Sequence, residues 1–338
     1  MKIIEKIQDV RSFGLYRGEE FIALNDRILI GNREMDVMPN EDYFCHNDVL
    51  TKGVYGEGTN KKHYLYSDGK FLAEECRYED FVFFSPDSYY SSVYKCDEKK
   101  EYFSFMENGQ EYLFSVDSDA FFYNLRYNKR NSILLLPKSD NKSILFYSRD
   151  GNLLWKYNIE RQDVSIDLNG TIEDEDFVII CCYTNELEKY SVECFNIKTG
   201  EKIWGIYGND IQCGSSYKLG PKGMLYGLST IWNDKAEIVM ECIALKNGER
   251  MVIDIKGIED SDIDIDSSRS TIYGNMLYFN YNRPVPTIAS IDLGTMCLVE
   301  ELKIKTSKYA RMGDSPIVTE DKVYQYITSM RELHVYSR

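Results

Sequence analysis

The sequence predicts an all-β fold, a β-propeller of four-stranded blades spanning residues 1–338 as one domain. Three observations carry this: a turn glycine that recurs at a nearly constant interval, strand-like alternation on both sides of each turn, and no long helical periodicity. The clearest unit is CFNIKTGEKIWGI (194–206), a strand, a turn at Lys198-Thr199-Gly200-Glu201 and a second strand with Trp204 four residues past the glycine. LFYSRDGNLLWKYNI (145–159) repeats it with Gly151 and Trp155. Turns at Asn247-Gly248, Asn108-Gly109 and Asp68-Gly69 put Val252, Leu113 and Ala73 at the same offset. Asp-Gly and Asn-Gly supply the positive φ that tight hairpins need.

A sixth copy, IASIDLGTMCLVEEL (288–302), is imperfect because Gly294 arrives about two residues early. Successive glycines are then 40, 42, 49, 48 and 46 apart, and a period near 45 with four strands per unit is that of a propeller blade. Further strand candidates precede the hairpins, as at 223–230, 275–282 and 322–328. The 27 Tyr and 16 Phe suit half-buried strands.

Blade count turns on the first quarter of the chain. Residues 13–38 and 42–76 read as two compact blades give eight, and read as one blade with an insertion give seven; the period favours eight. ELHVYSR (332–338) has the pattern of a third strand with no fourth after it, while MKIIEKI (1–7) alternates with nothing before it to pair with. Residues 2–7 are therefore expected to pair with 332–337 and close the ring, which removes free edges.

Charge narrows the partners. Lys plus Arg number 40 against 55 Asp plus Glu, a formal charge of −15, so a nucleic-acid backbone would be repelled and a basic protein favoured. The chain has neither a signal-peptide core at its start nor a run of 18 apolar residues, so a cytoplasmic monomer that avoids membranes is expected. Nine cysteines, an odd number without a C-x-x-C pair, read as reduced thiols used as small core residues.

The stretch 194–204 resembles the pyrroloquinoline-quinone-type (PQQ-like) propeller repeat, roughly A-L-D-x-x-T-G-x-x-x-W: Thr199, Gly200 and Trp204 match, and Gly151 and Trp155 match in the preceding unit. In that family the Trp packs one blade against the next and binds no cofactor. The resemblance thus implies a structural role for Gly69, Gly109, Gly151, Trp155, Thr199, Gly200, Trp204 and Gly248 in a WD40-like architecture. The family also includes quinoprotein dehydrogenases in which adjacent cysteines form a ring beside the quinone. Cys181-Cys182 imitate that pair, yet they lie in DFVIICCYT (176–184), a strand pattern that points neighbours to opposite faces. No quinone or other cofactor is expected.

Candidate chemistry is sparse. His46, His63 and His334 are dispersed, which gives a metal little to converge on. Asp262-x-Asp264-x-Asp266 begins like a calcium loop but has Ser267 where glycine and Tyr273 where glutamate should stand, so solvated acids are expected. Glu173-Asp174-Glu175-Asp176 reads as an exposed acidic loop, and Tyr89, Tyr90 and Tyr94 as either a binding patch or a buried strand face. No nucleophile-elbow or phosphate-loop motif occurs. The reading is a non-catalytic propeller, a scaffold that binds a basic protein through these acidic and tyrosine residues, as a bacterial immunity protein neutralising a toxin would. The alternative is a small quinone- or metal-dependent dehydrogenase or lyase.

Overall fold

Alternating strands joined by tight turns fold each run of four into one antiparallel sheet. The computed structural model describes the chain apart from residues 39–40, 47–48, 56–60, 68, 74–79, 86–87, 119–121, 123–124, 185–189, 209–216, 233–235, 258–264, 282–284, 305–310 and 313. Among the described residues lie eight four-stranded sheets. Blades 1 to 7 occupy 12–36, 41–73, 80–117, 126–158, 164–208, 218–254 and 265–303, each with its strands in chain order. Blade 8 takes three strands from 317–337 and its outermost from Lys2–Ile7. The fold is an eight-bladed β-propeller. The seven-blade alternative falls because 12–36 and 41–73 form separate sheets.

Lys2 stands opposite Ser337 and Ile7 opposite Leu333, with a bulge between Ile3 and Glu5. The expected pairing of 2–7 with 332–337 is thus present. The chain divides into two compact units, one of residues 9–139 and 144–156, the other of residues 1–8, 140–143 and 157–338.

Gly69, Gly109, Gly151, Gly200 and Gly248 all have φ between 70° and 82°, the left-handed turn conformation that their spacing predicts. In the sixth copy Met296, not Gly294, takes that position, with φ 54°. Asp292 compensates by accepting from the amides of Gly294 and Thr295, each at 2.8 Å. Measured to Met296, the last interval is 296 − 248 = 48, matching the 48 before it.

Apolar faces of neighbouring sheets form the core. In the first unit Tyr16, Phe21, Leu50 and Tyr66 pack between blades 1 and 2. In the second, Cys194, Trp204, Leu225 and Ile243 pack between blades 5 and 6, and Met240, Leu277 and Phe279 between blades 6 and 7. Trp204 is 8% exposed; its indole Nε1 donates to the Leu245 carbonyl at 2.6 Å, and its ring lies against Gly248, where a Cβ would sit 2.9 Å from it.

The interface of blades 7 and 8 mixes apolar with polar groups. Buried Asn280 donates to the Gln325 Oε1 at 3.1 Å and to the Asp314 carbonyl at 2.6 Å. Opposite Gln325, His334 is fully buried. Its Nε2 lies 2.9 Å from Glu332 Oε2 and its Nδ1 3.1 Å from the Tyr336 hydroxyl. A carboxylate only accepts, so Nε2 donates to it and Tyr336 donates to Nδ1, as in a neutral ring. Burial pushes the His334 pKa below its ordinary 6.5, against the opposing pull of Glu332.

Once unfolded, His334 takes up a proton below about pH 6.5 that the folded chain refuses. The stability it contributes is full above that pH and is lost as pH falls through the lower folded value. Urea titrations between pH 7 and pH 5 are expected to show a falling unfolding free energy, by up to about 1.4 kcal/mol per pH unit from this one group. His334→Gln should remove that part of the slope. An unchanged slope in the variant would contradict the neutral-ring assignment.

Candidate functional sites

The acidic run sits at a hairpin tip. Glu173 ends the strand Val164–Glu173, and Asp174, Glu175 and Asp176 turn the chain into Phe177–Thr184. The Asp174 amide donates to the Phe177 carbonyl at 3.0 Å, and the Ile197 amide to the Asp176 carbonyl at 3.1 Å. Glu175 and Asp176 are exposed. Asp262 and Asp264 lie outside the described residues. Asp266 belongs to the strand Ile265–Tyr273, with its side chain outside them.

The three tyrosines share the strand Ser88–Lys95, where alternation puts Tyr89 on one face and Tyr90 and Tyr94 on the other. Tyr90 is 8% exposed and stacks on Phe84 at 5.6 Å within the core of blades 3 and 4. Tyr89 and Tyr94 are half-buried, and the Tyr94 hydroxyl donates to the Ser118 carbonyl at 3.2 Å.

Cys181 and Cys182 are free thiols, both buried. Strand geometry sends them apart: Cys181 joins Ile179 and Val192 in the core of blades 5 and 6, while Cys182 lies 3.3 Å from the Tyr157 hydroxyl. Burial raises the Cys182 pKa to about 11 and pushes that of Cys181 well above the ordinary thiol value. Of the other histidines, His46 and His63 lie in the strands Glu41–His46 and Lys61–Ser67, their side chains outside the described residues. Among the described residues, no group of three or more His, Cys, Asp or Glu comes together as a metal site would require. Among them, too, no helix is long and apolar enough to cross a membrane.

A set of buried glutamates escapes a search for catalytic motifs. Glu193 and Glu241 each stand seven residues before a turn glycine, inside VECF and MECI. An acid at the same offset in two apolar third strands was the available signal. Two residues past each glycine comes the cation that answers it, Lys202 for Glu193 at 3.3 Å and Arg250 for Glu241. Glu241 is fully buried and also accepts from the Tyr217 hydroxyl at 2.6 Å. Glu193 instead borders a cavity of about 380 Å³ within the second unit, walled by Tyr157, Arg161, Thr184, Ser191 and Tyr207 among others. Burial and the neighbouring Cys182 and Glu193 push the Tyr157 pKa upward, so its hydroxyl keeps its proton.

Outer strands of the second unit carry exposed apolar side chains. Ile203 in blade 5, Met251 and Val252 in blade 6, Val299 in blade 7 and Ile4 in blade 8 are between 44% and 55% exposed.

No protein-family model matches the chain, and no curated protein is similar to it in sequence. Solved structures are similar in fold. One is the dihydro-heme d1 dehydrogenase NirN in complex with DHE, at TM-score 0.53 and 10% identity over 87% of this chain and 66% of that one. A second, from an analysis of two prolyl endopeptidases, gives TM-score 0.50 and 12% identity over 84% of this chain and 44% of that one. A third, KlAtg21 in complex with the coiled-coil of AgAtg16, gives TM-score 0.49 and 12% identity over 83% and 89%. The chain thus spans about two thirds of NirN and less than half of the endopeptidase. At these identities the likeness is one of fold.

Proposed function

We propose that this chain is a cytoplasmic, PQQ-like propeller that works by binding a protein, and that the partner presents a basic surface. The observation that carries the reading is the charge of −15 together with the exposed Glu175 and Asp176 at a hairpin tip. Opposite fields speed encounter and disfavour wrong partners. Half-exposed apolar groups on the outer strands, such as Ile203 and Val299, supply area that a docked protein can cover. Neutralising a basic toxin, as a bacterial immunity protein does, is the specific version of this role.

The test is kinetic. With a partner captured from native lysate, raising salt from about 0.05 to 0.5 M shortens the Debye length from roughly 14 Å to about 4 Å. Association should slow by about tenfold or more while dissociation changes far less. The double variant Glu175→Lys, Asp176→Lys should slow association at low salt if the hairpin faces the partner. An association rate indifferent to salt would remove the electrostatic reading.

A further inference from the structure

The cavity beside Glu193 is a built site, and its chemistry is not that of a protein interface. Blades 5 and 6 carry the same glutamate-cation pair at the same repeat position, but only blade 6 seals it: Glu241 is fully buried under Arg250 and Tyr217. In blade 5 the Glu193 carboxylate, held by Lys202 at 3.3 Å, borders a space of about 380 Å³. That volume lies toward the small end of ligand pockets.

The walls are rich in hydroxyls. Thr184 is 6% exposed, and among the described residues its Oγ1 has no hydrogen-bond partner. A buried hydroxyl left unanswered is costly, and a ligand hydroxyl would relieve it after a turn about χ1. Tyr157 is fixed edge-on against Phe195 at 5.4 Å, with its hydroxyl 3.3 Å from Cys182. Ser191 adds another donor and acceptor. At the mouth Tyr207 is 59% exposed, with the Lys202 ammonium donating to its hydroxyl.

The charges at the site are balanced in pairs. Glu193 is matched by Lys202, and Arg161 by Asp163 at 3.1 and 2.5 Å. An anion would meet Glu193, and a cation would meet Lys202 and Arg161. A neutral molecule with several hydroxyls and one apolar face suits what remains, because fixed donors and acceptors answer the hydroxyls and an aromatic ring answers the C–H face.

We propose that this cavity binds a neutral carbohydrate, one pyranose ring in size, with Glu193, Tyr157, Thr184 and Ser191 taking its hydroxyls and Tyr207 its C–H face. The site is independent of the proposed protein partner.

Saturation-transfer NMR on the full chain with glucose, galactose, N-acetylglucosamine, the corresponding methyl glycosides and glycerol tests it. At least one pyranose should receive saturation with millimolar affinity, and glycerol much less. Tyr157→Phe and Thr184→Val, which keep side-chain shape, should each weaken that binding about fivefold or more, and Glu193→Gln further. A ligand bound as the methyl glycoside as well as the free sugar supports a terminal glycan residue, and one bound only as the free sugar supports a soluble monosaccharide. Transfer to no pyranose, transfer equal to that of glycerol, or binding unchanged in both shape-preserving variants would overturn the assignment.

Discussion

Trp204→Ala should lower the unfolding free energy by about 3 to 5 kcal/mol, the range for truncating a large buried aromatic. The indole is 8% exposed, lies against Gly248 of the next blade and donates to the Leu245 carbonyl at 2.6 Å. Alanine would leave a cavity between blades 5 and 6 and take away that carbonyl's indole donor. Trp204→Phe separates the two effects, because it keeps most of the packing and loses the hydrogen bond; it should cost about 1 to 3 kcal/mol. Urea denaturation of both variants is the measurement. A midpoint unmoved in Trp204→Ala would mean that the residue does not join the blades.

Removing residues 1–8 should have an effect of similar size with a different signature. The strand Lys2–Ile7 is itself mostly exposed, so little apolar burial is lost directly. What is lost is the pairing of five positions with the strand Glu332–Ser337 and the ion pair from the Met1 amino group to Glu300. At roughly 0.5 to 1.5 kcal/mol per backbone hydrogen bond, the pairing contributes on the order of 4 kcal/mol. The strand Glu332–Ser337 would become a free edge, and free edges template association. Concentration-dependent oligomers and a lowered urea midpoint are expected by light scattering and denaturation. A synthetic peptide of residues 1–8 added in trans should restore both. A truncated chain that stays monomeric with an unchanged midpoint would show that blade 8 does not depend on its N-terminal strand.

Much of the blade architecture was legible because its determinants are local. Asn108-Gly109 dictates a two-residue turn whatever surrounds it, and both residues adopt positive φ, 49° and 77°. The strand alternation of 1–7 and of 332–337 was likewise legible, and the two strands pair in blade 8.

The sites were less legible, since spacing does not say which face a side chain takes. Trp204 and Val252 both stand four residues past their turn glycine, yet Trp204 is 8% exposed and Val252 44%. A bulge at Ile203, opposite Cys194 and Phe195, adds one residue to the outer strand, so Trp204 pairs with Cys194 on the core face, while without a bulge Val252 pairs with Glu241 on the other. In the tyrosine strand, too, spacing did not show that Tyr90 alone of the three is in the core, with Tyr89 and Tyr94 half-buried.

By itself, then, the sequence determined what short-range chemistry can determine: all-β structure, the blade period, the turn residues and the strand shared between the two ends. Only the tertiary structure decided that Met296 replaces Gly294 in the last repeat turn, that one bulge directs Trp204 inward, and that Glu241 is sealed while the equivalent Glu193 borders a cavity. Turn propensity and alternation act over a few residues. The state of a repeat position depends on register and on the neighbouring blade, some 40 to 50 residues away in the chain.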